Sequence, residues 1–127
     1  MPMLFRLLAA AALLTVASPG CSQNGGLPVT SPATVQQQLA QPGTVLLDVR
    51  SPEEFEAGHL PGAQNLDYRA DDFAQQVAKL DPKQSYVLYC ASGNRSGKAA
   101  ILMQEKGFKQ VVNAGAYKTL QENGVKK

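Results

Sequence analysis

From Val35 onward, short apolar runs alternate with segments whose apolar residues recur at helical spacing, which predicts strands interleaved with helices. Val35–Gln41 reads as a short helix and Thr44–Val49 (TVLLDV) as a β-rich strand. Ser51–Ala57 reads as a brief helix with a well-marked start: Ser51 as cap, Pro52 in the first turn and Glu54 three residues after the cap. A Pro-Gly turn, His59–Ala63, leads to a short extended piece at Gln64–Leu66. Asp71 or Asp72 then caps a helix running to about Leu80, with Phe73, Val77 and Leu80 on one face. Ser85–Tyr89 (SYVLY) is a second apolar strand that runs straight into Cys90. Ser96–Lys106 is predicted as a helix stopped by Gly107, Phe108–Asn113 as a strand and Gly115–Asn123 as a last helix. This order argues for an α/β fold with a parallel sheet covered by helices on both faces. Ligands of such sheets bind beyond the carboxyl ends of the strands, where Cys90 stands.

The N-terminus breaks the pattern. Met1–Arg6 carries one positive charge, Leu7–Val16 is apolar, and small residues lead up to Cys21. Residues 1–20 have the layout of an export signal, with an apolar stretch too short to span a bilayer comfortably. Cys21, directly after Gly20, resembles the lipidation site of bacterial lipoproteins. Residues 21–33 are rich in Ser, Gly, Pro and Asn and read as a flexible tether. The expectation is therefore an exported, lipid-anchored protein on the periplasmic side of a bacterial membrane, with one small domain at 34–124. Without the first 20 residues the chain carries eleven basic and ten acidic side chains, a balance with no footprint for nucleic acid.

The candidate chemistry lies in Cys90-Ala91-Ser92-Gly93-Asn94-Arg95-Ser96. If Cys21 is acylated, Cys90 is the only free thiol in an oxidising compartment, a liability unless it is used. A thiol at the start of a helix faces unpaired N–H groups and the positive end of the helix dipole, so the thiolate is favoured. Gly93 lets the loop curl so that successive N–H groups point inward, and Arg95 adds a fixed positive charge. Ser92 and Ser96 either donate hydroxyls to the sulfur or cap the helix. Asp48 and Arg50 read as a structural ion-pair set. His59, the single histidine, has no second ligand pattern for a metal and reads as a structural hydrogen bonder.

The Cys90 loop, the block Leu46–Arg50 with Ser51–Phe55, and the block Gly58–Ala63 occur in the order and spacing of a single-domain rhodanese, which the chain resembles over about residues 34–124. Among its relatives it looks most like the small exported rhodaneses of the phage-shock type. The resemblance implies a three-layer sandwich around a mainly parallel sheet and a sulfurtransferase activity without metal or organic cofactor. Cys90 would be the nucleophile and persulfide carrier, taking a sulfane sulfur from a small anionic, thiosulfate-like donor and passing it to cyanide or a thiol. Ala91, Ser92, Gly93, Asn94, Arg95 and Ser96 would form the substrate cradle, with Arg95 meeting the donor's anionic end. Asp48, Arg50 and His59 would organise the fold around it, in a monomer. Thiolate attack on a sulfur–sulfur bond needs an ionised, reachable sulfur and a good leaving group, which sulfite is. Two departures from the family pattern stand out: Ala91 replaces a common cation, and Asn113–Tyr117 lacks the second Gly and the Trp of the final motif. Phosphatases and arsenate reductases using such a thiolate are the enzymatic alternative, but phosphatases on the related fold use Cys-x5-R, and Cys90 to Arg95 is the shorter Cys-x4-R. A rhodanese-like binding module that keeps the loop without turnover is the non-enzymatic one.

Overall fold

The computed structural model describes residues 25–127; the expected export signal and Cys21 lie outside them. Four parallel strands, β1 (Thr44–Asp48), β2 (Gln64–Asn65), β3 (Ser85–Cys90) and β4 (Val111–Ala116), form one sheet in the order β2-β1-β3-β4. Five helices connect or flank them: α1 (Pro32–Leu39), α2 (Pro52–Ala57), α3 (Phe73–Ala78), α4 (Asn94–Glu105) and α5 (Tyr117–Glu122). Alternation along each strand divides the core in two. Leu47, Tyr86, Leu88 and Cys90 pack with Phe73 and Val77 of α3 and with Ala99, Ala100 and Met103 of α4. On the other face Leu46, Val87 and Tyr89 pack with Val35 and Leu39 of α1 and Leu120 of α5. The α/β, three-layer expectation holds: the near-continuous apolar strands TVLLD and SYVLYC are what a sheet buried on both faces requires.

The start of α2 has the expected chemistry in full. Ser51 Oγ accepts from the Glu54 N–H, and Glu54 Oε1 accepts in return from the Ser51 N–H, closing a capping box behind Pro52. The start of α3 does not. Asp72 precedes the helix but makes no capping bond, because its carboxylate accepts from Gln76 Nε2 instead.

Several boundaries differ from the sequence reading: α1 spans Pro32–Leu39 and not Val35–Gln41, α3 ends at Ala78, β4 begins at Val111 and not Phe108, and α5 begins at Tyr117 and not Gly115. Helix α4 begins at Asn94, two residues before Ser96, because Gly93 takes a left-handed conformation (φ +90°) that turns the chain into the helix earlier. Strand β4 runs on to Ala116 through a register shift opposite Leu88 and Tyr89, where Leu88 pairs with Asn113 but Tyr89 with Gly115. Ala114 is thus the extra residue of a bulge. The tether expected over 21–33 also ends early. Helix α1 starts at Pro32 with Ser31 as its cap, and residues 27–30 lie against the domain. The Leu27 N–H donates to the Gly97 carbonyl (3.1 Å), the Thr30 N–H donates to the Asn113 carbonyl (2.8 Å), and Val29 bridges Asn113 in parallel. Their side chains carry no strand pattern; main-chain hydrogen bonds place them, helped by Leu27, whose side chain packs against the core.

Candidate active site

β3 carries Cys90 to the carboxyl end of the sheet, and the loop folds back over it before α4 begins. Gly93 N–H donates to Cys90 Sγ at 3.0 Å and Ser96 N–H at 3.5 Å, while Ser96 Oγ lies 3.4 Å from the sulfur. Burial pushes the thiol up. The polar groups packed on the sulfur, those of Ser96 foremost and then the Ser92 and Gly93 N–H groups, outweigh it, and the thiol settles below its ordinary value. These groups converge because Gly93 turns the chain; a Cβ there would meet Gly115 Cα at 3.1 Å.

The sequence reading required a reachable sulfur, and here the structure differs. Cys90 is 0% exposed. The donors that favour its anion pack directly on it, so stabilisation and access oppose each other. Gly93 and Ser96 are buried with it, whereas Ala91, Ser92 and Asn94 form an exposed rim and Arg95 is half-buried. A cavity of about 460 Å³ lies beside the loop, lined by Gly26–Val29, Ser92–Asn94 and Asn113, without reaching Cys90.

Arg95 is not a free cation. Its two terminal nitrogens hold both carboxylate oxygens of Glu54 at 2.8 and 3.1 Å, tying the first turn of α4 to the first turn of α2. The Arg95 guanidinium holds the Glu54 carboxyl down at about 2 in spite of partial desolvation, with the Ser51 donors helping. Glu54 in turn raises Arg95, with a smaller contribution from the negative charge of Cys90. Glu54 therefore serves two structures at once: the cap of α2 and the clamp on the loop. Its second role is invisible in the sequence, where its partner stands 41 positions away.

Asp48 and Arg50 form a buried pair at the end of β1. Arg50 Nη2 donates to Asp48 Oδ2 at 2.6 Å and to the Gly58 carbonyl at 2.6 Å, and the Arg50 N–H donates to Asp48 Oδ1 at 2.9 Å. The guanidinium also lies over the Tyr117 ring, 4.3 Å from its centroid. Desolvation opposes the charge on Arg50, but the bonds to Asp48 more than offset it. Tyr117 thus supplies an aromatic face for the Arg50 charge. His59 is exposed, stacks on Phe55 at 3.7 Å and donates Nδ1–H to the Phe55 carbonyl at 2.8 Å, closing the end of α2. Among the described residues, no group of three His, Cys, Asp or Glu side chains could hold a metal, and no helix is long and apolar enough to cross a membrane.

Sequence reasoning missed Asn113 as a site residue. It is 1% exposed, accepts from the Ser96 hydroxyl (2.7 Å) and the Gly115 N–H (3.0 Å), and donates through Nδ2 to the carbonyls of Gly93 (3.0 Å) and Leu27 (2.8 Å). A polar residue amid the apolar run of β4 was its only trace in the sequence.

Comparison with known proteins agrees with this geometry. The Rhodanese-like domain family matches residues 31–122. Thiosulfate sulfurtransferase 16 of Arabidopsis thaliana is 32% identical over 115 residues, covering 82% of this chain and 96% of that protein. Thiosulfate sulfurtransferase PspE of Escherichia coli is 32% identical over 80 residues, 63% of this chain and 77% of its own length. The human single-domain sulfurtransferase TSTD1 superimposes with a TM-score of 0.63 at 28% identity, covering 76% of this chain and 97% of that one. With a thiol held by loop amides at the end of a parallel strand and this likeness over most of its length, the chain belongs to the rhodanese-like sulfurtransferase family.

Proposed function

We propose that the protein is a thiosulfate-type sulfurtransferase that carries a sulfane sulfur on Cys90. The Cys90 thiolate attacks the outer sulfur of thiosulfate, the sulfur–sulfur bond breaks, and sulfite leaves with the bonding pair. The resulting persulfide keeps its negative charge among the same N–H donors. Cyanide then takes the terminal sulfur as thiocyanate, or a thiolate takes it as a hydropersulfide, and the Cys90 thiolate returns. One observation carries this reading: Gly93 N–H and Ser96 N–H both point at Sγ, at 3.0 and 3.5 Å, an arrangement suited to an anion on sulfur in both halves of the cycle.

Ala91, Ser92 and Asn94 supply the rim at which a donor arrives, and Arg95 contributes its charge from within the Glu54 pair. The N-terminal reading completes the proposal: residues 1–20 export the chain, lipid on Cys21 anchors it, and the domain works as a monomer on the periplasmic side of the membrane. Intact mass of membrane-extracted protein tests the anchor, and absence of added acyl mass would remove it.

The decisive experiment is mass spectrometry of the folded domain after thiosulfate exposure, expecting one extra sulfur on the Cys90 peptide. In parallel, Cys90→Ser is expected to abolish sulfite release in the presence of cyanide. Turnover that survives this substitution would overturn the proposal. The complete burial of Cys90 favours one second reading, a binding module that retains the loop without turnover. Folded protein that takes up no sulfur would select it.

A further inference from the structure

Ser96 has one hydroxyl proton and two neighbours that can accept it. Asn113 Oδ1 is 2.7 Å from Ser96 Oγ, and Cys90 Sγ is 3.4 Å away. The orientation of the Asn113 amide is fixed by its surroundings. Two carbonyls, of Gly93 and Leu27, can be met only by its NH₂ group, and the Gly115 N–H only by its oxygen. The contact between Ser96 Oγ and Asn113 Oδ1 therefore depends on the serine proton. Turning that proton to the sulfur would leave two buried oxygens facing each other at 2.7 Å, which is repulsive.

We propose that Asn113 is a positioning residue for the Cys90 loop: it holds the Ser96 hydroxyl proton for itself and pins the Gly93 carbonyl, leaving the sulfur to main-chain N–H donors. The fold makes this possible. Val111 and Asn113 point to the sheet face that carries Cys90 and α4, and the bulge at Ala114 brings the Gly115 N–H round to the amide oxygen. The amide also joins the loop to residues 27–30, so loop, β4 and the N-terminal segment share one hydrogen-bonded centre. The inference rests on Cys90 being the reactive sulfur and not on the identity of the donor.

A double-mutant cycle on the full domain tests it, with the pH dependence of Cys90 alkylation by iodoacetamide as readout. The variants are Ser96→Ala, Asn113→Ala and both together. The ionisable groups around the loop stay the same throughout: Arg95 of α4 with Glu54 of α2, the Asp48–Arg50 pair after β1, Asp67 after β2, and Tyr89 and Tyr117. In the Asn113→Ala background the hydroxyl loses its preferred acceptor and turns to the sulfur. Ser96→Ala is there expected to raise the apparent thiol pKa by about one pH unit, the effect of removing a charge-assisted hydrogen bond. With Asn113 present, the same substitution is expected to shift it by well under half of that, roughly a few tenths of a unit.

Equal shifts in the two backgrounds, or the larger shift with Asn113 present, would overturn the proposal. If Asn113→Ala does not fold, Ser96→Ala alone decides: a rise of about one unit refutes the assignment and a small shift supports it. Wild-type protein that is alkylated at Cys90 yet takes no sulfur from thiosulfate would sink the proposed activity and leave this inference standing.

Discussion

Glu54→Gln separates charge from shape at the clamp between α2 and the Cys90 loop. Glutamine can still close a capping box with Ser51, so the helix start survives while the ionic pair with Arg95 is lost. The Glu54 carboxyl lies at about 2 against an ordinary 4.5, with the hydrogen bond from Arg95 as the largest cause. Without screening, that displacement corresponds to about 3 kcal/mol of linked stability. The Glu54 side chain is 35% exposed and its partner 13%, so water screens the pair and about 1 to 2 kcal/mol is the expected contribution. A carboxyl held down in the folded state stabilises above its unfolded value and loses that effect as pH falls through the folded value. Urea unfolding at pH 7 is therefore expected to show Glu54→Gln about 1 to 2 kcal/mol less stable than wild type, or roughly 5–10 °C lower in Tm. The gap should narrow from about pH 5 downward and close near pH 2. Equal stability at pH 7, or a gap that persists unchanged into acid, would refute the reasoning.

Asp48→Ala leaves the buried Arg50 charge without its partner and is expected to cost about 3–5 kcal/mol in thermal unfolding. Tyr89→Phe removes the hydroxyl that accepts from the buried Leu60 N–H at 3.0 Å, with an expected loss of about 1–3 kcal/mol by urea titration. Gly115→Ala places a Cβ 2.8 Å from Val29 Cγ1 at φ +91°, so faster amide hydrogen exchange at Leu27 and Thr30 is expected together with about 1–2 kcal/mol of destabilisation. Arg95→Ala is expected to raise the thiosulfate concentration needed for half-maximal turnover severalfold, measured by thiocyanate formation. An unchanged dependence would confine Arg95 to its clamp with Glu54.

The parts of the fold written in local pattern were legible from the residues alone. The apolar runs TVLLD and SYVLYC announced buried parallel strands, and Ser51-Pro52-Glu53-Glu54 announced the start of α2. The cradle around Cys90 was legible because its donors lie within six positions of the sulfur. The missing parts depend on contacts between distant segments. Glu54 had a local explanation as a capping residue, which hid its hold on Arg95. Asn113 was read as the end of a strand because a bulge has no simple sequence signature. Residues 27–30 are held by main-chain bonds and by the apolar contact of Leu27, too little side-chain signal for hydrophobic patterning to report. The burial of Cys90 follows from how closely the loop closes on it, which residue types alone do not specify.

The short stretch from Leu27 to Thr30 has a consequence for how the molecule keeps to itself. β4 is the last strand of its sheet, and an unprotected last strand invites another chain to pair with it. Where Val29 and Thr30 run beside Asn113, the vacancy is already filled from within. A chain trimmed at residue 31, where the family match begins, would uncover that border next to the reactive loop and be more prone to self-association.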